Sequence, residues 1–165
     1  MISEKVLKAF NDQINEELYS SYLYLSMSAY FESKNMRGFA NWFRIQSVEE
    51  NMHAMKFFDF VNQVGGKVTL KQINAPKINW KSAMEVFKET LAHEKHITAQ
   101  IHKLVGIANQ EKDYASQSFL QWFVNEQVEE EANVQDLIYK LEMIGDNKGG
   151  LYMLDRELGA RATGQ

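Results

Sequence analysis

Cysteine is absent from the 165 residues, and proline occurs once, at Pro76. Without a thiol there is no disulfide, no thiolate metal site and no cysteine nucleophile, and the composition fits a reducing compartment, so a cytoplasmic location is expected. A single proline leaves long stretches in which nothing forbids uninterrupted helix. No apolar run approaches the ~18 residues of a membrane span, so no membrane partner is expected. Met1-Ile2-Ser3-Glu4 leads straight into helical periodicity, and no signal peptide is expected. Basic residues are not in excess. The 18 Lys and Arg against 22 Asp and Glu give a net charge of −4, which argues against nucleic acid as a partner. Low-complexity tracts and short repeats are also missing.

What is there is a helical pattern filling one domain's length, 1–165, with 45% hydrophobic residues. Apolar residues recurring at steps of three and four predict helices over about 3–33, 38–65, 82–110, 113–144 and 151–158. Ser3 reads as an N-cap, and Ser82-x-x-Glu85 as a capping box. Gly65-Gly66 reads as a stop after the second helix; Gly145 and Gly149-Gly150 read as the end of the fourth. Residues 67–80 carry Pro76 and no period. A helix of about 27 residues is about 40 Å long, and about 14 extended residues reach about 46 Å. This loop is long enough to run the length of a bundle, which makes the second and third helices parallel. The fold class expected is all-α: a four-helix bundle with a long crossover between helices 2 and 3 and a short fifth helix.

The chemistry lies in the buried seams. The second helix gives Phe39, Phe43, Gln46, Glu50, His53, Phe57, Phe60 and Val64, with Glu50 and His53 where Leu or Phe would be expected. Three residues apart, they share one helix face and can hold one ion together. The first helix gives Leu7, Phe10, Ile14, Glu17, Ser21, Tyr24 and Ser28. The third gives Met84, Phe87, Leu91, Glu94, Thr98, Ile101, Val105 and Ala108. The fourth gives Ser116, Leu120, Phe123, Gln127, Glu130, Val134, Leu137 and Leu141. Glu17, Glu50, His53, Glu94, Gln127 and Glu130 all fall near mid-helix, so packing brings them to one level. So many buried acids repel unless cations neutralise them or several stay protonated. Oxygen ligands with one imidazole suit iron or manganese, zinc being a further fit. Two ions with Glu50 between them match the ligand supply.

Around this layer stand Glu49, Glu126 and Glu129, for which a third cation site and a solvated acidic face are both open readings; Glu131 reads as solvated. Tyr24 and Trp122 read as core aromatics or as redox-active neighbours of the metals, and Tyr24 is carried among the candidate catalytic residues. His93, His96 and His102 fall off the Glu94 seam and read as surface residues. His93-Glu94-Lys95-His96 is not H-E-x-x-H, so a zinc protease site is not indicated.

Three segments carry a wider resemblance. The run from Glu16-Glu17-Leu18-Tyr19 to Ser26-Met27, the motif Glu49-Glu50-x-x-His53-Ala54, and Asn125-Glu126-Gln127-Val128-Glu129 closely resemble ferritins, specifically bacterial or archaeal non-haem ferritins. The likeness covers essentially the whole chain. It implies an iron-storing homo-oligomeric cage of 24 chains whose fifth helix lines a four-fold channel. By match of position it implies a first iron site at Glu17, Glu50 and His53, and a second at Glu50, Glu94 and Glu130 beside Gln127. A third, of the kind found in bacterial members, falls on Glu49, Glu126, Glu129 and Glu130.

Departures from the wider family refine this. Bacterioferritins and rubrerythrins have a second E-x-x-H where this chain has Gln127-x-x-Glu130, which disfavours a permanent di-iron cofactor. The haem methionine of bacterioferritins falls on Asn51, with Met52 one residue off, so no haem is expected. The acidic pair at the three-fold entry of animal ferritins falls on Gln117 and Leu120, which leaves the entry route open. The function expected is ferroxidation of Fe(II) by O2 or H2O2 at two irons per chain, with a third ion site open, followed by ferric storage. The alternatives are a di-iron oxidase or peroxidase that retains its metals, and a non-catalytic cage subunit.

Overall fold

Ser3, Ser82, Asp113 and Asn147 each accept a hydrogen bond from the backbone N–H three residues on. They start α1 (Glu4–Ser33), α3 (Ala83–Gln110), α4 (Tyr114–Ile144) and α5 (Lys148–Gly159). The remaining helix, α2 (Arg37–Gln63), begins at Met36, which offers no side-chain cap. Its cap comes from another helix: Asp155 Oδ1 of α5 accepts from the N–H groups of Gly38 and Phe39 at 2.9 and 3.0 Å. A carboxylate there also complements the positive end of the helix dipole. The two helices lie so close that a Cβ on Gly38 would stand 1.6 Å from the Asp155 carbonyl oxygen, so only glycine fits. The computed structural model describes residues 2–163, and all regular structure among them is helical.

Both hairpins turn alike. After α1, Asn35 takes a left-handed φ of 58° and the Met36 N–H reaches back to the Phe31 carbonyl; after α3, Lys112 takes φ 54° and Asp113 N–H reaches Ala108. Gly65, at φ 76°, closes α2 with the same pattern through Gly66 and Val61. The direction of the crossover follows from its hydrogen bonds to α1. Asn11 holds Lys67 and Thr69, Asn15 holds Gln72, Ser26 holds Lys77, and the Trp80 ring packs edge-on against Tyr30. The strap therefore climbs the whole of α1 and delivers α3 parallel to α2. The result is a four-helix bundle with a long crossover and a short fifth helix docked on α2. None of these helices is long and apolar enough to cross a membrane.

The apolar core is divided in two. One cluster gathers Phe31, Phe39, Phe43, Phe87, Leu137 and Leu154 toward the α5 end; the other gathers Phe10, Ile14, Phe57, Ile97, Ile101 and Phe123 toward the opposite end. Between them lie the buried polar residues. Two expectations change in detail. Gly149 and Gly150 do not end α4 but form the first turn of α5, because the Asn147 side chain takes the Gly150 N–H. On α3 the buried stripe is Thr90, Glu94, Ile97, Ile101 and Leu104, while Leu91, Thr98 and Val105 are only partly covered. The helix is turned by about one residue, and Thr90 is admitted to the core because its hydroxyl donates to the Val86 carbonyl.

Candidate metal centre

Each bundle helix contributes acid to the central layer at the level where the two apolar clusters meet. Glu17 of α1, Glu50 and His53 of α2, Glu94 of α3, and Gln127 and Glu130 of α4 are all buried. Three sets of side chains place one ligand atom each within 4.8 Å of one another: Glu17, Glu50 and His53; Glu50, Glu94 and Glu130; and His53, Glu126 and Glu130. Glu50 is common to the first two.

Amides and hydroxyls orient the carboxylates. Gln13 donates to Glu17 Oε1 at 2.8 Å. Gln46 donates to Glu130 Oε2 at 2.7 Å and to Glu50 Oε1 at 3.3 Å. The Tyr24 hydroxyl donates to Glu94 Oε1, and Gln127 donates to Glu94 Oε2 at 3.1 Å and to Thr98 Oγ1 at 3.2 Å. His53 Nδ1 lies 3.3 Å from Glu50 Oε2, and its Nε2 faces Glu126 Oε1 at 3.8 Å. Among the described residues, the one buried side-chain oxygen without a hydrogen-bond partner is Glu17 Oε2. Leaving a carboxylate oxygen so is costly, and a cation in the layer removes the cost.

The electrostatics agree. Burial above all pushes the Glu17 and Glu50 carboxyls well above the ordinary range; Glu50 adds to the rise at Glu17, and Glu94 and Glu130 add to it at Glu50. Burial carries Glu94 to about 7, against the opposing hydrogen bonds from Tyr24 and Gln127. Burial and the charge of Glu94 carry Glu130 to about 8. The metal-free layer therefore holds protons near neutrality, and a divalent ion would enter by displacing them. The donor set, hard oxygens with a single imidazole, fits iron.

The outer acids separate. Glu126, half-buried and raised by burial, converges with His53 and Glu130. Glu129 is exposed, and Glu49 is paired with Arg161 at 2.8 Å. Trp122 is not core: its indole stands edge-on to the His53 ring, with the Lys56 ammonium 4.2 Å from an indole ring centroid. Tyr24 is fully buried. His93, expected at the surface, is instead tucked against Tyr24 and Tyr19, 2.7 Å from Ser20 Oγ; burial first, then His96, lowers it to about 4. Of the two positions expected at an entry, Leu120 is core and Gln117 donates to the Ala108 carbonyl at the end of α3.

Sequence reasoning missed Gln13 and Gln46 as parts of the site. Each stands four residues before an acid on the same helix face, and that spacing was a readable signal. Arg161 had none, because it acts through the tertiary fold.

The comparisons with known proteins agree with the fold. The ferritin family profile, described as a ferritin-like domain, matches residues 7–144. A bacterial non-heme ferritin of Staphylococcus aureus (strain USA300) is 42% identical over 98% of this chain and 97% of its own. That of Staphylococcus haemolyticus is 42% identical over 98% of each. Among solved structures, an open-pore ferritin of the archaeon Archaeoglobus fulgidus superposes with a TM-score of 0.97 at 52% identity over 98% of each chain. A closed form engineered from that ferritin gives 0.98 at 50% identity over 99% of each. With its profile, relatives and bundle in agreement, the chain belongs to the ferritin family.

Proposed function

We propose that this chain is an iron-storage ferritin whose central layer oxidises Fe(II). The observation that carries the reading is Glu50, shared by two converging sets of ligands, one completed by Glu17 and His53 and the other by Glu94 and Glu130. Two ferrous ions are the substrate. Each gives one electron; O2 takes both with two protons to leave H2O2, and peroxide is the alternative acceptor. The carboxyls that surrender protons to the entering ions supply a local source of them. Tyr24 and Gln127 fix the two oxygens of Glu94, so that ligand is already oriented. The redox chemistry is iron's, and the protein binds and positions it.

Storage is favoured over a resident di-iron cofactor by Gln127. Its amide is committed to Glu94 and Thr98, so the second site lacks an imidazole and has no further anion at that position. Weaker charge compensation lets Fe(III) leave. The cage is read as a homo-oligomer of 24 chains in the cytoplasm, in keeping with the ferritins it resembles, with Glu49 and Glu126 on an outer ion path and Glu129 exposed outside it. Size-exclusion mass with an aerobic Fe(II) titration tests this. A store takes up hundreds to thousands of irons per assembly after a fast phase saturating at two per chain. Uptake that stops at two per chain marks a cofactor enzyme, and a missing fast phase marks a passive subunit.

A further inference from the structure

Beyond α5 the chain folds back along α2. Asn41 Nδ2 donates to the Leu158 and Arg161 carbonyls at 3.2 and 3.1 Å, which fixes the tail. Arg161 then lays its guanidinium over the Trp42 ring, 4.6 Å from the centroid, and donates to the Trp42 carbonyl at 3.1 Å. Nη2 makes two further bonds, to Gln46 Oε1 at 3.0 Å and to Glu49 Oε2 at 2.8 Å. The Arg161 side chain is only 12% exposed, so this is a built contact rather than a surface pair.

Two consequences follow from the chemistry of these groups. Guanidinium has no acceptor, so it takes the oxygen end of the Gln46 amide. The nitrogen end must then face Glu130 and Glu50, where it is found. Glu49 is also neutralised by a cation carried on the chain itself. The Glu49 charge reaches the neighbouring acids, contributing to the rise at both Glu126 and Glu130.

We infer that Arg161 is a tethered counter-ion that holds Glu49 while the outer path is empty and must be displaced before a third metal ion can use that carboxylate. The inference rests on the reading of Glu49 as a ligand on an outer ion path. A tethered competitor acts at high effective concentration, so the ion at Glu49 is held more loosely than a bare cluster of acids would hold it. Arg161 thereby sets the affinity of a way-station through which ions pass, and acts through Glu49 as a positioning residue.

Zn2+ serves as a redox-inert probe, read by calorimetry on the metal-free assembled protein and by anomalous scattering at Glu49 in soaked crystals. Arg161→Met keeps the stem over Trp42 and removes the charge. It should tighten the third Zn2+ step by roughly tenfold to a hundredfold, the size of one charge-assisted hydrogen bond. Arg161→Lys should return toward the parent value, which loss of packing alone does not explain. Glu49→Gln should abolish the third step, and adding Arg161→Met to it should change nothing further. A third step unaltered in Arg161→Met but lost in Glu49→Gln overturns the inference and leaves the outer path standing. A third step unaltered in Glu49→Gln, with no scattering peak at that residue, overturns the outer path and the inference with it. If Arg161→Met fails to assemble, Arg161→Gln, whose amide can still donate to Gln46, gives the same comparison.

Discussion

The Gln46 amide nitrogen lies 2.7 Å from Glu130 Oε2, joining α2 to α4 directly across the metal layer. This donor favours the ionised form of Glu130 against the burial and the Glu94 charge that oppose it. Gln46→Leu should therefore raise Glu130 further and weaken divalent binding at neutral pH by about tenfold, the loss of one bond to a charged group. Zn2+ isotherms across pH decide this: the midpoint should move to higher pH, and an unmoved midpoint would show that Gln46 only fills space.

Glu50→Ala and His53→Ala should each remove the fast phase of Fe(II) oxidation, slowing it by roughly a hundredfold or more, because Glu50 is common to both sets of ligands and His53 completes the first. Assembly should survive, since the two apolar clusters on either side are untouched. Stopped-flow at two Fe(II) per chain is the measurement, and a surviving fast phase places the chemistry elsewhere.

Two acids of the layer should respond oppositely to apolar replacement in the metal-free protein. Glu17 has a single donor, Gln13, and an unpartnered oxygen. Glu17→Leu frees the buried Gln13 amide but also removes the unpartnered oxygen and the repulsion from Glu50, and should stabilise by about 1–2 kcal/mol, as buried charge clusters do when filled with apolar side chains. Glu94 instead satisfies Tyr24 and Gln127, which are both buried. Glu94→Leu orphans the Tyr24 hydroxyl and removes one acceptor of Gln127, which keeps the Glu94 carbonyl and Thr98, and should destabilise by about 1–3 kcal/mol. Denaturant melts give both values, and equal signs would contradict the difference in bonding.

Stability of the metal-free protein should fall as pH rises. Glu94 and Glu130 titrate near 7 and 8 in the folded chain against an ordinary 4.5. Between those values the folded state binds more protons than the unfolded one. The stabilisation is full below about 4.5 and is lost as pH passes through 7 and 8, by up to about 1.4 kcal/mol per unit for each carboxyl. Denaturant midpoints from about pH 5.5 to 8.5 should decline, and saturating Zn2+ should remove the decline. A midpoint that climbs over this range would mean the carboxyls are already ionised in the fold.

The outer acids should be unequal. Glu126→Ala, which removes a partner of His53 and Glu130, should slow turnover beyond the first two irons by about threefold to tenfold, whereas Glu129→Ala should change it little. Repeated Fe(II) additions to one sample, with the regeneration rate followed, separate the two. Equal effects would bring Glu129 into the outer path with Glu49 and Glu126.

The bundle was legible because period and polarity agree along α4, where every residue of the expected seam from Ser116 to Leu141 is buried. On α3 they disagree. Thr98 and Leu91 fit the spacing as well as Thr90 and Ile97, and only contact with α1 and α4 chooses between them. Four of the acids stood out because each interrupts an apolar series. Their supports stood out less, since Gln13 and Gln46 each stand four residues before an acid but are otherwise unremarkable polar residues until the carboxylates they serve are placed. His93 was misplaced for a related reason: its partner Ser20 lies on another helix. Arg161 belongs to a tail whose contacts, with Asn41, Trp42, Gln46 and Glu49, are more than a hundred positions away.

The division of the ligands between the two hairpins bears on the order of events in folding. Glu17, Glu50 and His53 all belong to the α1–α2 hairpin, whose short turn lets it close early and locally. The other set draws Glu50 from that hairpin and Glu94 and Glu130 from α3–α4, which the strap over α1 brings in late. The hairpins touch each other far less than their own helices do, and the surfaces that must meet carry acids. On the proposed two-ion reading, one ion would be captured by half of the chain before the halves join, and its neighbour only by joining them. Closing the bundle and completing the second site are one step, and its barrier should fall as the concentration of divalent metal rises.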